Sequence, residues 1–197
     1  MSTKLLISGS LAAACLFSAP AAFAQVSADT CPPMGFLNTT NHVLNPSFEI
    51  ADHGGTNHSA AAKWFVHTDN QNDPISTSLV TTTVPHGTDP GEGKRMIHVD
   101  AVGNESGVYQ PLPVGLVHSK LMFSAWVYVK TGHVTMQLGS FVGSPNGWST
   151  KHNQWEELRV CSNGNPNAPA QDSIFIVNED PTGGHFAIDR VEVRETQ

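Results

Sequence analysis

The sequence predicts an all-β fold, an antiparallel β-sandwich of the jelly-roll kind, and three observations carry that prediction. From Ser119 to Thr131 the side chains divide at every second residue. Leu121, Phe123, Ala125, Val127 and Val129 fall on one side, and Met122, Ser124, Trp126, Tyr128 and Lys130 on the other, which is the period-two signature of a half-buried strand. Clusters such as Asp89-Pro90-Gly91, Ser144-Pro145-Asn146-Gly147 and Pro181-Thr182-Gly183-Gly184 punctuate the chain and are turn chemistry. No segment sustains a 3.6-residue apolar period, so short strands with regular turns organise the chain, not alternating strands and helices.

Taken in order, the chain opens on Lys4, the apolar run Leu5 to Phe17 and small residues ending Ala22-Phe23-Ala24. These are the n-region, h-region and Ala-x-Ala site of a secretory signal, so residues 1–24 are expected to be removed and the mature chain to start near Gln25. A lipoprotein signal cleaved before Cys15 is the alternative, disfavoured because an apolar tail follows that cysteine. Residues 25–41 form a polar lead containing Cys31-Pro32-Pro33, and residues 42–197 hold the sandwich. Its candidate strands are His42 to Ile50, Trp64 to Thr68, Ile75 to Val84, Arg95 to Val102, Gly107 to Leu112, Lys120 to Thr131, His133 to Phe141, Gln154 to Cys161, Ser173 to Val177 and His185 to Val193. Thr131-Gly132 is the expected turn of a hairpin that sets Gln137 beside the Trp126 and Tyr128 face, provided no bulge shifts the register.

Composition narrows the classes of function. With 197 residues, 39% of them hydrophobic and 14% charged, there is chain enough for one sizeable core. No later run approaches the roughly 18 apolar residues of a membrane span. Removing the signal removes Lys4 and takes the formal charge from −7 to −8; that balance argues against nucleic acid and anionic membrane surfaces as partners. It also removes Cys15. The remaining pair, Cys31 and Cys161, predicts one disulfide in an exported chain, with two unpaired buried thiols as the alternative. None of the ten histidines falls in a His-Glu-x-x-His frame, and His53 and His58 read as solvated loop residues.

A run of motifs then brings in a resemblance. Asn45-Pro-Ser-Phe-Glu49, Trp64, Gly93-Lys-Arg-Met-Ile-His-Val99, Ser106-Gly-Val-Tyr-Gln110, Phe123-Ser-Ala-Trp-Val127, Trp155 and Phe186-Ala-Ile-Asp-Arg-Val-Glu-Val193 follow one another over residues 42 to 195. In order and spacing they resemble carbohydrate-binding modules of the cellulose- and xylan-binding type, within the galactose-binding-like jelly-roll superfamily. The resemblance implies a non-catalytic glycan-binding sandwich with a structural calcium where the first and last strands meet. The superfamily is broad, so the fold implies less about the ligand.

The residues themselves add to both expectations. Regular alternation puts Asp189 on a face with Ala187, Val191 and Val193, and a carboxylate in an apolar layer calls for a partner, a proton or a metal. Calcium takes hard oxygen ligands, and Glu49, the backbone near Ser47 and the loop around Asp52 match the family's region for the others. The alternatives are an ion pair of Asp189 with Arg95 or Arg159, or a bulge that turns it to solvent. Sugars offer flat C–H faces to aromatic rings and hydroxyls to planar polar groups. Trp126, Tyr128 and Gln137 meet that requirement on alternation, with Tyr109 and the loop residue Trp148 as further candidates, while Trp64 and Trp155 read as packing residues. A second layer covering Trp126 and Tyr128 is the alternative.

Catalysis finds less support. Glycoside hydrolysis needs two carboxylates facing across a cleft, and Glu156 and Glu157 alternate to opposite faces of one strand. The chain has no Gly-x-Ser-x-Gly elbow, and its cysteines are better used in a disulfide than as nucleophiles. The expected function is a secreted, non-catalytic glycan-binding protein. An extracellular adhesion or structural domain without sugar binding is the alternative, and a polysaccharide-active enzyme the more remote one.

Overall fold

The structure, a computed structural model, describes residues 31, 38–52, 57–69, 75–81, 93–116, 118–139, 144, 146–164 and 171–196. The expected signal, most of the lead, and His53 with its neighbouring glycines lie outside them. The strands are β1 Phe65–His67, β2 Ile75–Thr81, β3 Arg95–Ala101, β4 Ser106–Pro111, β5 Leu121–Thr131, β6 Val134–Leu138, β7 Asn146–Trp148, β8 Trp155–Cys161, β9 Ser173–Asn178 and β10 Gly184–Glu195. They form two five-stranded antiparallel sheets, ordered β1-β4-β9-β6-β7 and β2-β3-β10-β5-β8. The predicted sandwich is therefore present, and helical structure among the described residues amounts to a 3-10 turn at Val114–Leu116.

Period two decides which side chains meet between the sheets. Leu121, Phe123, Ala125, Val127 and Val129 of β5 face Val134, Met136 and Leu138 of β6 and Ile174 and Ile176 of β9 in one core, with Ile188, Val191 and Val193 of β10 beside them. Trp64 and Phe48 close one end, fully buried, with ring centroids 5.3 Å apart. Burying each such large side chain contributes about 1.5–3 kcal/mol.

Three elements depart from expectation. The expected β5–β6 hairpin is a corner between sheets. β5 lies between β10 and β8, and β6 between β9 and β7. Gly132, at φ 89°, makes the corner, and the buried Asn178 holds its exit: Oδ1 accepts from the His133 amide at 3.0 Å, and Nδ2 donates to the carbonyls of Gly103 and Asp180. The turn after β3 crosses between the sheets in the same way. Second, His42 to Ile50 is a looped segment and not a strand. Asn45 and Phe48 take φ of 51° and 56°, and the Asn45 side chain closes the loop on the Ile50 amide and the carbonyls of Ile50 and Ala62. Asparagine tolerates that conformation because its amide bonds locally. Third, Asn146–Trp148, read as part of a turn, pairs with β6 as an edge strand.

The N-terminal segment has a sheet-like task all the same. β3 pairs with β10 only as far as Ile188. Beyond it the backbone of β10 is met by residues 38–46: Val191 N donates to Pro46 O, His42 N to Val193 O and Asn38 N to Glu195 O, while Asn41 Oδ1 accepts from Val193 N. The expected disulfide is formed, Cys31 to Cys161 with Cα atoms 5.5 Å apart, so it ties this segment to the end of β8.

Candidate functional site

Because β5 and β6 belong to different sheets, the five predicted ligand residues separate. Trp126 and Tyr128 stand on the outer face of β2-β3-β10-β5-β8. Gln137, Tyr109 and Trp148 stand on the outer face of the opposite sheet. The single platform expected from alternation is thus two faces, and the sheet-crossing corner at Gly132 is the reason.

On the β1-β4-β9-β6-β7 sheet the register aligns side chains into rows. Phe65 pairs with Tyr109, Tyr109 with Phe175, Phe175 with Gln137, and Gln137 with Asn146. Directly opposed residues project to the same side, so one row runs across all five strands. With strands about 4.8 Å apart it spans about 19 Å. Its rings are in contact: Phe65 and Tyr109 lie 5.5 Å apart and tilted, Tyr109 and Phe175 lie 5.4 Å apart and stacked, and His58 meets Phe65 edge-on at 5.1 Å. A second row takes His67, Gly107, Val177, Thr135 and Trp148, and there the Trp148 ring lies 6.3 Å from that of His133. Phe175 and Phe65 were missed from sequence. Only the pairing of β9 and β1 to β4 reveals them, since each sits alone in a short apolar strand.

One end of this face carries a titratable group. His67 packs edge-on against Phe175 at 5.0 Å, and a nitrogen of its ring and carboxylate oxygens of Asp69 and Glu105 lie within 4.8 Å of one another. A hydrogen bond with Asp69, burial and the charges of Asp69 and Glu179 push Glu105 up to about 7. Burial lowers His67, against the pull of Asp69.

On the opposite face, Tyr128 meets Trp155 edge-on at 5.7 Å, and Trp126 lines a cleft beside two ion pairs, Arg159–Glu157 at 2.6 Å and Arg190–Glu192 at 3.3 Å. Burial opposes the charge of Glu192, but Arg194 and Arg190 outweigh it and hold that carboxyl below its ordinary value.

The expected calcium ligands fall as follows. Asp189 is buried, at 4% exposure, but not among the core residues. It pairs with Trp126, and a bulge before Glu192 with Arg190 at φ 45° flips the alternation, so Val191 and Val193 face inward while Asp189 does not. Its Oδ1 accepts from the Arg190 amide at 2.7 Å. Glu49 Oε1 accepts the Lys94 and Arg95 amides at 2.6 and 2.7 Å. Both carboxylates are the hard oxygen donors calcium takes, and the chain beside Ser47 reaches β10 through Pro46. Asp52 fits less well, because its carboxylate is bonded to His58 at 2.7 Å.

At the level of sequence, no family description and no curated protein matches this chain. Solved structures do match it. A candidate sugar-binding protein from Bacteroides thetaiotaomicron is 12% identical, with a TM-score of 0.52 over 80% of this chain and all of that one. The enzymatically active domain of tailspike protein 4 from bacteriophage CBA120 is 14% identical, with a TM-score of 0.50 over 78% of this chain but only 21% of its own. A family 11 carbohydrate-binding module of a Clostridium thermocellum cellulosomal cellulase is 14% identical, with a TM-score of 0.49, over 75% of this chain and 96% of that one. At these identities the likeness is one of fold: a sandwich of two antiparallel sheets.

Proposed function

We propose that this chain is a secreted, non-catalytic glycan-binding protein that holds an extended oligosaccharide across the outer face of the β1-β4-β9-β6-β7 sheet. The observation that carries this reading is the cross-strand row Phe65, Tyr109, Phe175, Gln137 and Asn146. Apolar rings continue directly into two amides, so one line across the sheet supplies both C–H stacking surface and hydroxyl-matching groups. Its length suits several sugar rings in series. The fold shared with the sugar-binding structures supports it, and Lys4 with its apolar run supports export.

The non-catalytic reading rests on where the two adjacent carboxylates of β8 are spent. Glu156 accepts the amides of Thr150 and Lys151 and the Thr150 hydroxyl, Glu157 is ion-paired with Arg159, and as neighbours in one strand they alternate to opposite sides of it. A calcium ion held by Glu49, Asp189 and carbonyls near Ser47 would fasten the N-terminal loop to β10, a structural task away from the row.

The second reading, an interaction domain without sugar binding, has one observation in its favour: Tyr109 stands between Phe65 and Phe175 and stacks on the latter, so neighbouring rings already take part of its surface. A glycan array followed by titration of Tyr109→Ala separates the two. Stacking area and ring electrostatics imply a loss of more than about tenfold in affinity, with melting temperature nearly unchanged because Tyr109 is only half-buried. Silence of the parent protein against every glycan, with and without calcium, together with capture of a protein partner, would favour the interaction domain.

A further inference from the structure

The face opposite the row carries a cleft of about 170 Å³ lined by Ser124, Trp126, Glu157, Arg159, Arg190 and Glu192. Three strands build it. Ser124 and Trp126 come from β5, and their register partners Arg159 and Glu157 from β8. Arg190 and Glu192 come from the bulged part of β10, where one extra residue separates the partners of Trp126 and Ser124. Without that bulge, alternation would carry Glu192 to the core side, so the irregularity is what brings the Arg190–Glu192 pair to the cleft. Arg190 is held there in the left-handed region, at φ 45°, a conformation a non-glycine residue keeps only where its surroundings impose it.

The chemistry of the lining is specific. Arg159 faces Glu157 at 2.6 Å, and Glu192 takes Arg190 at 3.3 Å and Arg194 at 2.8 Å. Within the lining, the two guanidiniums of Arg159 and Arg190 are matched by the two carboxylates of Glu157 and Glu192. An electroneutral cleft gains little from a charged ligand, which would have to break one of these pairs. Each pair sets planar donors next to planar acceptors, an arrangement that suits adjacent hydroxyls, each both donor and acceptor. The Trp126 indole supplies the apolar wall a C–H face needs. Pockets for drug-sized ligands begin near 300 Å³, so this space suits one ring and not a chain.

We propose that this cleft is a second carbohydrate site, which holds a single neutral monosaccharide ring. It stands on the other sheet and on different residues from the extended face, so either site can fail without the other. The indole N–H resonance of Trp126 is followed by NMR in the intact mature protein during titration with galactose, glucose, mannose and glucuronate. At least one neutral hexose moves it saturably at millimolar concentration, and glucuronate binds more weakly. Arg159→Lys keeps the charge but loses the planar fork and weakens that hexose about tenfold at unchanged melting temperature; Glu157→Gln, which keeps the shape and removes the charged acceptor, weakens it as well. Tyr109→Ala leaves it untouched. The site is refuted by no shift with any hexose, by tighter binding of glucuronate, by unaltered affinity in both Arg159→Lys and Glu157→Gln, or by equal loss in Tyr109→Ala.

Discussion

Gln110 shows how one buried polar side chain organises a neighbouring loop. At 1% exposure, it accepts the Leu44 amide at 2.7 Å and donates to the carbonyls of Leu44 and Lys63, so it clamps two segments onto β4. Gln110→Leu strands those backbone groups and is expected to lower stability by about 1–3 kcal/mol, read by denaturant unfolding. Glu105 gives a pH effect of the opposite sense to most carboxylates. Its folded value is raised to about 7 from 4.5, so the folded state binds more protons between those values. Its contribution is therefore present below about 4.5 and lost as pH rises through about 7. Glu105→Gln should flatten that decline, and melting temperatures across the interval with the same slope in both proteins would remove Glu105 as its source. Asp189 tests the proposed calcium. An ion binding only the native state adds roughly 2.7 kcal/mol at a hundredfold excess over its dissociation constant, so chelation should lower the melting temperature and Asp189→Ala should abolish the response. Identical curves with calcium and with chelator would leave Asp189 as the anchor of the Arg190 bulge alone.

At the scale of elements, the three-residue Asn146–Trp148 carries no period-two pattern and read as a turn, whereas the long strands were legible because they carry one, as β5 does. Which sheet a strand joins was not, because that depends on corners. β5 and β6 alternate as a hairpin would, and Thr131-Gly132 is good turn chemistry, yet the same residues also serve a crossing between sheets. The signal that separates the two is tertiary: Asn178, forty-five residues on, takes the His133 amide. The same limit divided the candidate site. Tyr109, Gln137 and Trp148 were found by residue type, but their company of Phe65 and Phe175 comes from pairings distant in sequence. Asp189 was misplaced for a related reason, since one extra residue at Arg190 reverses every later side chain. The corner makes its own prediction. A left-handed φ costs a non-glycine residue about 1–2 kcal/mol, and a Cβ on Gly132 would meet Asn178 Oδ1 and approach Gly184 Cα to 2.7 Å. Gly132→Ala is expected to destabilise by more than the conformational cost alone, and a loss under about 1 kcal/mol in denaturant unfolding would mean that the corner gives way freely.

For the molecule as a whole, the sandwich has ends to be held as well as a core to be filled. The looped segment before β1 reaches β10 through a few backbone bonds where β3 has stopped pairing, and such an attachment would fray unless tied. Cys31–Cys161 ties it, across a sequence separation of 130. Loop-closure entropy for that separation gives roughly 5 kcal/mol, an upper figure because residual structure in the unfolded chain reduces it. At about 2–4 °C per kcal/mol for a protein of this size, reduction or Cys31→Ser with Cys161→Ser should lower the melting temperature by up to about 10–20 °C. The two candidate glycan sites respond differently, because Cys161 ends β8, the strand that supplies Glu157 and Arg159 to the cleft, whereas the five strands of the row lie in the other sheet. Well below melting, the reduced protein should therefore keep its affinity on the extended face and lose some at the cleft. Equal melting temperatures for the oxidised and reduced protein would show that the hydrogen bonds to β10 hold the segment alone.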